Sequence, residues 1–344
     1  MRPTIHDVAT AAGVSIKTVS RVLNNEAHVS KETRRKVEQA VEALDFRPSL
    51  AARALAGGRS YQIALLYDNP SPYYVYHMQS GARDRSRELG FRLIFQECDV
   101  HSARFIDEVK ALIDETHVDG LILSPPVTDQ PGLLALLTRR KVPFVRIAPG
   151  NNPGICPYAH MDDVAAAMDM TRYLAGLGHR RIGFIIGHPD HSASRDRLKG
   201  FRKGLAAEGI AEDPSLVRPG MFSYESGRNA ALELFRLDAP PTAIFASNDD
   251  MAAGVLAAAH EHGIAVPDEL SIAGFDDTDL ARALWPPLTT IHQPTRELAY
   301  AAADLLLSTP KKFQVRALPY KLVARGSTGA PRIGRCRLTA VSVP

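Results

Sequence analysis

The chain has 344 residues, 45% of them apolar and 23% charged, which is enough for roughly two or three domains with their own cores and excludes a disordered or fibrous protein. No uncharged apolar run approaches the ~18 residues needed to span a bilayer, and the opening MRPTIHDVAT has no apolar signal core, so neither a membrane partner nor export is expected. The net charge of +3 is unevenly held: residues 1–59 carry ten basic and six acidic side chains, the rest 31 and 32. A basic head of that size either meets a polyanion or is a chance excess.

Residues 4–45 carry the pattern of three short helices. Thr4 with Asp7 is a capping pair that starts the first at Ile5, and Gly13 breaks it with a turn. Ser15 caps a second helix with Val19, Val22 and Leu23 on one face and Ile16, Lys17, Ser20 and Arg21 on the other. Ser30 caps a third, with Val37, Val41 and Leu44 at i, i+4, i+7. This is a helix-turn-helix with a supporting helix, and its second helix carries donors that suit base edges in a major groove. A small bundle with an ordinary solvated face would show the same periodicity.

Pro48 then ends helix continuity, and Ser49–Ala56 is a strong helix former only about eight residues long, too short to be stable alone and so expected to fold on DNA. Its Ala51, Ala52 and Ala54 permit close approach of two copies, and Leu55 is placed to wedge into a minor-groove step.

The stretch TIHDVATAAGVSIKTVSRVLNNEAHVSKETRRKVEQAVEALDFRPSLAARALAGG, and within it VSIKTVSRVLN (Val14 to Asn24), resembles the DNA-binding head of the LacI/GalR family of bacterial transcription regulators. The resemblance implies that Ile16, Lys17 and Arg21 read bases, and that Thr4, Thr18, Asn24, His28, Ser30 and Thr33 position the backbone. It also implies a hinge helix, matched at Pro48, Ala51, Leu55 and Ala56.

From Tyr61 onward short apolar strands alternate with amphipathic helices. The strands are expected at 61–67, 91–97, 120–124, 143–147, 181–187, 242–247 and 269–275. Helices are expected at Val75–Leu89, Ala103–Glu115, Asp163–Leu177, Arg195–Glu208, Glu225–Phe235 and Asp249–Glu261. Such βαβ units make parallel sheets but leave one sheet, a barrel or two lobes open. Here GLGHRRIGFI (176–185), SRDRLKGF (194–201), AIFASNDDMAAGVL (243–256) and PDELSIAGFDD (267–277) resemble the same family, as do LTTIHQP (288–294) and LVARGST (322–328). The implied fold is an all-α helix-turn-helix head plus an α/β two-lobed periplasmic-binding-protein-like domain. Lobe one would hold about 61–160 with a return near 292–320, and lobe two about 161–290 with the last strand. The expected division is head 1–46, hinge and linker 47–59, effector-binding and dimerisation domain 60–328, and a disordered basic tail 329–344.

Ligands of open parallel sheets bind beyond the carboxyl ends of strands. Asp68 and Asn69 follow the first strand, with Tyr73 and Tyr74 soon after; Asn248 and Asp249 follow 242–247, Asp276 follows 269–275, and Arg197 starts a helix. Carboxylates, amides and a guanidinium suit vicinal hydroxyls, and Phe222 and Tyr73 could stack on a sugar ring. For Asp249 a helix cap is the alternative. Arg197, Asn248 and Asp276 match positions that contact effector in the resembled family.

No GxSxG, HExxH or P-loop is present, so no enzyme and no cofactor is expected. Cys98, Cys156 and Cys336 stand apart, which argues against a disulfide framework or structural zinc and fits a cytoplasmic location. His179, His188 and His191 suit a solvated loop better than a metal site, and Asp276-Asp277 one cap and one ligand contact better than an acid/base pair. The expected partners are pseudo-palindromic operator DNA, a small effector (a mono- or disaccharide, or alternatively a purine or nucleoside corepressor) and a second copy of the chain. After Thr328, GAPRIGRCRLTAVSVP offers no heptad seam and sets Arg332, Arg335 and Arg337 against one another, so a dimer is expected rather than a tetramer.

Overall fold

The structure, a computed structural model, describes residues 3–23, 28–46, 59–308 and 313–331. Asn24, the expected hinge helix with Ala52 and Leu55, and residues 332–344 lie outside the described residues. The chain divides into two compact units, one ending at Tyr61 and the other beginning at Gln62.

In the first unit the caps define the helices. Asp7 N–H donates to the Thr4 hydroxyl and Thr4 N–H donates back to the Asp7 carboxylate at 2.7 Å, starting α1 (Ile5–Ala12). Gly13 ends it at φ +65°, the left-handed turn that a residue without Cβ takes most easily. Ser15 accepts from Thr18 N–H to start α2 (Ile16–Leu23), and Ser30 from Thr33 N–H to start α3 (Lys31–Ala43), both at 3.1 Å. Val8, Val19 and Val37 are fully buried in one core with Phe46. Helices of this length are unstable alone, so that shared core holds all three.

The second unit contains two parallel sheets. Lobe one has β1 (Gln62–Tyr67), β2 (Arg92–Glu97), β3 (Gly120–Leu123), β4 (Phe144–Ile147), β5 (Tyr158–His160) and β11 (Val315–Ala317), in the order β11-β5-β4-β3-β1-β2. Lobe two has β6 (Ile182–Ile185), β7 (Val217–Arg218), β8 (Ala243–Ala246) and β9 (Ser271–Ala273), in the order β7-β6-β8-β9. The central strands are continuous apolar runs because helices cover both faces. In lobe one α4 (Pro72–Glu88) and α12 (Thr295–Leu307) cover one face, while α5 (Phe105–Thr116) and α6 (Pro131–Arg140) cover the other. In lobe two α7 (Asp163–Gly176) and α8 (Ser192–Ala207) lie opposite α9 (Tyr224–Phe235) and α10 (Asp249–Glu261). A further helix, α11 (Asp279–Ala283), and an antiparallel pair, β10 (Thr290–His292) with β12 (Lys321–Val323), complete lobe two.

The chain passes between the lobes after β5, after β10 and after β11. All seven expected strands are present, and five more are not in that reading: β5, β7, β10, β11 and β12, each two or three residues long. Helix α4 begins at Pro72 rather than Val75 and α8 at Ser192 rather than Arg195, so both reach closer to the space between the lobes. Gly329, placed by sequence at the start of the tail, is fixed to lobe two: its N–H donates to the Ser271 hydroxyl, and its carbonyl lies 3.0 Å from His179 Nε2.

Candidate functional site

The head presents one helix face outward. On α2, Val19 and Val22 point into the core, while Ile16, Lys17 and Arg21 are exposed, Ile16 at 39%. That division follows from the 3.6-residue period, and it leaves a short polar ridge of the size a major groove admits. Thr4, Thr18, Ser30 and Thr33 all belong to capping groups at helix N-termini: the Thr18 hydroxyl is 2.9 Å from that of Ser15 and the Thr33 hydroxyl 2.8 Å from that of Ser30. Free N–H groups at such termini favour anions. His28 is exposed beside the start of α3.

The second candidate site is a narrow cleft between the lobes. Lobe one contributes Asn69, Ser71, Tyr74, Pro125 and Ala148; lobe two contributes Asp163, His191, Arg197, Phe222, Asn248 and Asp276, with Gln293 where the chain crosses back. As expected of parallel sheets, these residues follow the carboxyl ends of strands: β1, β3 and β4 in lobe one, β6, β7, β8 and β9 in lobe two, with Asp163 and Gln293 where the chain crosses after β5 and β10.

Arg197 organises the lobe-two wall. It is 4% exposed and donates from Nε to Asp163 at 2.8 Å, from Nη1 to the Ser247 carbonyl and from Nη2 to Gln293 Oε1 at 2.9 Å. Its guanidinium carbon lies 3.6 Å from the centre of the Phe275 ring. Asn248 is equally committed: its Oδ1 accepts from Met251 N–H as the cap of α10, and its amide nitrogen donates to the Phe222 carbonyl at 3.0 Å. Phe222, 5% exposed at φ +57°, lays its ring over Gly187, where a Cβ would stand 2.1 Å from ring carbons. Only glycine fits beneath it.

Asp276 differs from both. It is 8% exposed at φ +114°, its nearest cation is Arg197 at 3.7 Å, and among the described residues its carboxylate accepts no hydrogen bond. Burial pushes its carboxyl well above the usual carboxylate range; Arg197 opposes this, and the neighbouring Asp249, Asp250 and Asp163 add to it. Burial also pushes the His191 imidazole down to about 3, with help from His188 and Arg197, so it is neutral across the physiological range.

The remaining sequence candidates are spread differently. Asn69 and Tyr74 line the cleft; Asn69 Oδ1 accepts from Ser71 N–H, and Ser71 donates to Asp250 across the lobes at 2.6 Å. Asp68 accepts from Val100 N–H, Tyr73 is exposed, and neither lines the cleft. Asp249 is fully buried outside it and accepts from Thr278 N–H, the Thr278 hydroxyl and the Thr290 hydroxyl. The cap of α10 is thus Asn248, not Asp249. Asp277 is no cap either: it holds Arg325 and His292, and Thr278 precedes α11. His179 and His191 are 1% and 4% exposed rather than in a solvated loop.

Sequence reasoning missed Asp163, Ser71, His191 and Gln293 as cleft residues. Asp163 was legible only as the start of a helix, and Gln293 lies inside LTTIHQP, where it could have been singled out.

Residues 4–49 match bacterial regulatory proteins of the lacI family, and residues 171–328 match the periplasmic binding protein-like domain. The chain is 36% identical to the HTH-type transcriptional regulator DegA of Bacillus subtilis, over 95% of this chain and 98% of that protein. Among solved structures it is similar to the lac repressor dimer bound to operator and the anti-inducer ONPF, with a TM-score of 0.80 at 30% identity over 96% of this chain and all of that one. It is also similar to the CelR–cellobiose complex, with a TM-score of 0.73 at 30% identity over 95% of this chain and all of that one. A helix-turn-helix head joined to a two-lobed body, matched over nearly the whole length, places the chain in the LacI family of bacterial transcription regulators, which are DNA-binding proteins rather than enzymes.

Proposed function

We propose that the chain is a cytoplasmic homodimeric repressor of carbohydrate-utilisation genes, released from its operator by a mono- or disaccharide. Two heads read the halves of a pseudo-palindrome, with Ile16, Lys17 and Arg21 on base edges and Thr4, Thr18, Asn24, His28, Ser30 and Thr33 on the backbone. Ala52 and Leu55 act at the centre of the site by close approach and wedging. Arg197, Asn248 and Asp276, with Asn69, Tyr74 and Phe222, hold the ligand. Asp68, Tyr73 and Asp249 stand outside the cleft lining. A ligand that favours one lobe arrangement by about 1–3 kcal/mol is sufficient to shift operator affinity.

The observation that carries this reading is the cleft itself: polar groups converging beside the Phe222 ring, in a chain whose exposed α2 face suits a major groove. The cellobiose complex of the similar CelR supports a sugar. A purine or nucleoside is the second reading, favoured by the aromatic rings of Tyr74 and Phe222 on the cleft wall. Selection of binding sites from random duplexes, followed by sugar and nucleoside challenge of the bound complex, tests both. Selected sites without dyad symmetry overturn the dimeric head; release by nucleosides alone overturns the sugar.

A further inference from the structure

Lobe one buries a cation in the middle of its sheet. Arg146 on β4 is fully buried between the equally buried Val145 and Ile147. Its guanidinium donates from Nε to the Thr128 carbonyl at 2.8 Å, from Nη1 to the Asn152 carbonyl at 2.8 Å and from Nη2 to the Asp129 carboxylate at 2.6 Å. Asp129 accepts in turn from the N–H groups of Gly150 at 3.0 Å and Asn151 at 3.1 Å. The turn Val127–Asp129 after β3 is thereby fastened to residues 148–152 after β4. That loop is strained: Ala148 and Asn152 sit at φ +43° and +44°, where residues other than glycine are uncommon. An apolar residue at 146 would fill the sheet at less cost than a buried ion pair, so stability does not account for the clamp.

What the clamped loop meets is lobe two. Ser192, the first residue of α8, lies against Gly150: a Cβ added at Gly150 would overlap Ser192 Cβ, and the Ser192 hydroxyl reaches the Ala148 carbonyl at 3.5 Å. Carbon atoms pack at about 3.5–4.0 Å, so the lobes attain this spacing because residue 150 has no side chain. Ser71–Asp250 and His101–Asp190 also cross between the lobes, but they join the ends of side chains, which can rotate apart. At Gly150 a main chain meets the start of a helix, and neither yields unless a lobe moves.

We infer that loop 148–152 is a closure stop: Gly150 against Ser192 sets the nearest approach of the two lobes, and Arg146, acting through Asp129, is the positioning residue that keeps the stop rigid. The inference goes beyond the effector reading, because it fixes the limit of lobe closure whichever ligand drives it.

The test is a spin-label distance across the lobes of the full chain without ligand. Nitroxides go on Arg104→Cys of lobe one and Arg202→Cys of lobe two, both exposed positions, with Cys336→Ser and an excess of unlabelled chain so that each distance lies within one chain. Gly150→Ala is expected to lengthen the distance and Gly150→Leu to lengthen it more. Ser192→Gly combined with Gly150→Ala, which moves the methylene from one side of the contact to the other, is expected to restore the parental value. Arg146→Lys keeps the charge but cannot span Thr128, Asn152 and Asp129 together, so in that background the lengthening by Gly150→Ala should shrink as the loop gives way. Thermal unfolding checks that each variant folds. A parental distance in both Gly150 variants overturns the stop. Lengthening that persists in Gly150→Ala with Ser192→Gly overturns it too, because the cause then lies in the loop and not in the contact. Undiminished lengthening in the Arg146→Lys background overturns the positioning role of Arg146. All these distances are read without ligand, so a failure of the effector reading leaves them unchanged.

Discussion

The head and the cleft both present polar side chains, but they hold them in opposite ways. On α2 Lys17 and Arg21 stand exposed on one face of a helix whose other face is core, so their placement is set by a local period and the Ser15 cap. In the cleft the polar groups are buried, and most are bonded to one another across elements far apart in the chain: Arg197 ties α8 to Asp163, Ser247 and Gln293, which are 34 to 96 residues away. A surface reader can be changed without touching the fold. A buried reader is part of the fold, and its loss appears in stability before it appears in binding.

Arg197→Ala gives the largest separation of the two. Removing one partner of a buried pair leaves Asp163 without compensation, and the expected loss is about 3–5 kcal/mol of stability. Urea unfolding of the second unit measures it. Ligand response should vanish as well, but a variant of parental stability would show that Arg197 is free to serve the ligand alone, and the contrast with the head would collapse.

Asp249→Ala comes next. Its carboxylate accepts from both donors of Thr278 and from Thr290, which fastens the start of α10 to the turn after β9 and to β10. Three donors lose their acceptor inside the protein, at an expected cost of about 2–3 kcal/mol. If Asp249 is a ligand contact instead, calorimetric affinity will fall while the unfolding midpoint holds.

Lys17→Ala should behave in the reverse manner. Lys17 is exposed on α2, and a lost base-edge contact costs about 1–3 kcal/mol of operator affinity. The unfolding free energy should stay within about 0.5 kcal/mol of the parent. Fluorescence anisotropy with a selected operator and with scrambled DNA is the measurement; an equal loss on both sequences would assign Lys17 to phosphate rather than base.

This contrast also explains what was legible in the sequence. Thr4, Gly13, Ser15 and Ser30 announce the head because each acts on residues within three or four positions. The long apolar strands were legible for the same reason. The short ones were not: β5 exists because Tyr158–His160 lies between β4 and Val315–Ala317, the latter more than 150 residues away, and three residues carry no period. The cleft divides similarly. Arg197, Asn248 and Asp276 could be picked out as polar residues after strands, but nothing local distinguishes Asp249, turned inward to Thr290, from Asp276, which lines the cleft. His191 reads as loop until packing with Phe222 buries it.

The smallest expected effect lies where the lobes touch at the surface. His101 of lobe one stands 2.6 Å from Asp190 of lobe two, and both are partly or largely exposed. The hydrogen bond to Asp190 raises the His101 imidazole above its ordinary value of 6.5, and the charges of Asp190, Asp99 and Asp68 add to it. The sign follows from linkage. Because the pair holds the proton more tightly than the separated groups do, its contribution is complete below pH 6.5 and is lost as pH rises through the raised value. His101→Gln should therefore flatten a shallow fall in stability above neutrality, and Asp190→Asn should flatten it equally, while neither alters Lys17-dependent operator affinity at fixed pH. Both partners touch water, so the slope should shrink further at high salt. A parent whose stability rises through that window, or a slope that survives both substitutions, would mean that the lobes are held by the part-buried Ser71–Asp250 bond and the cleft network without help from this pair.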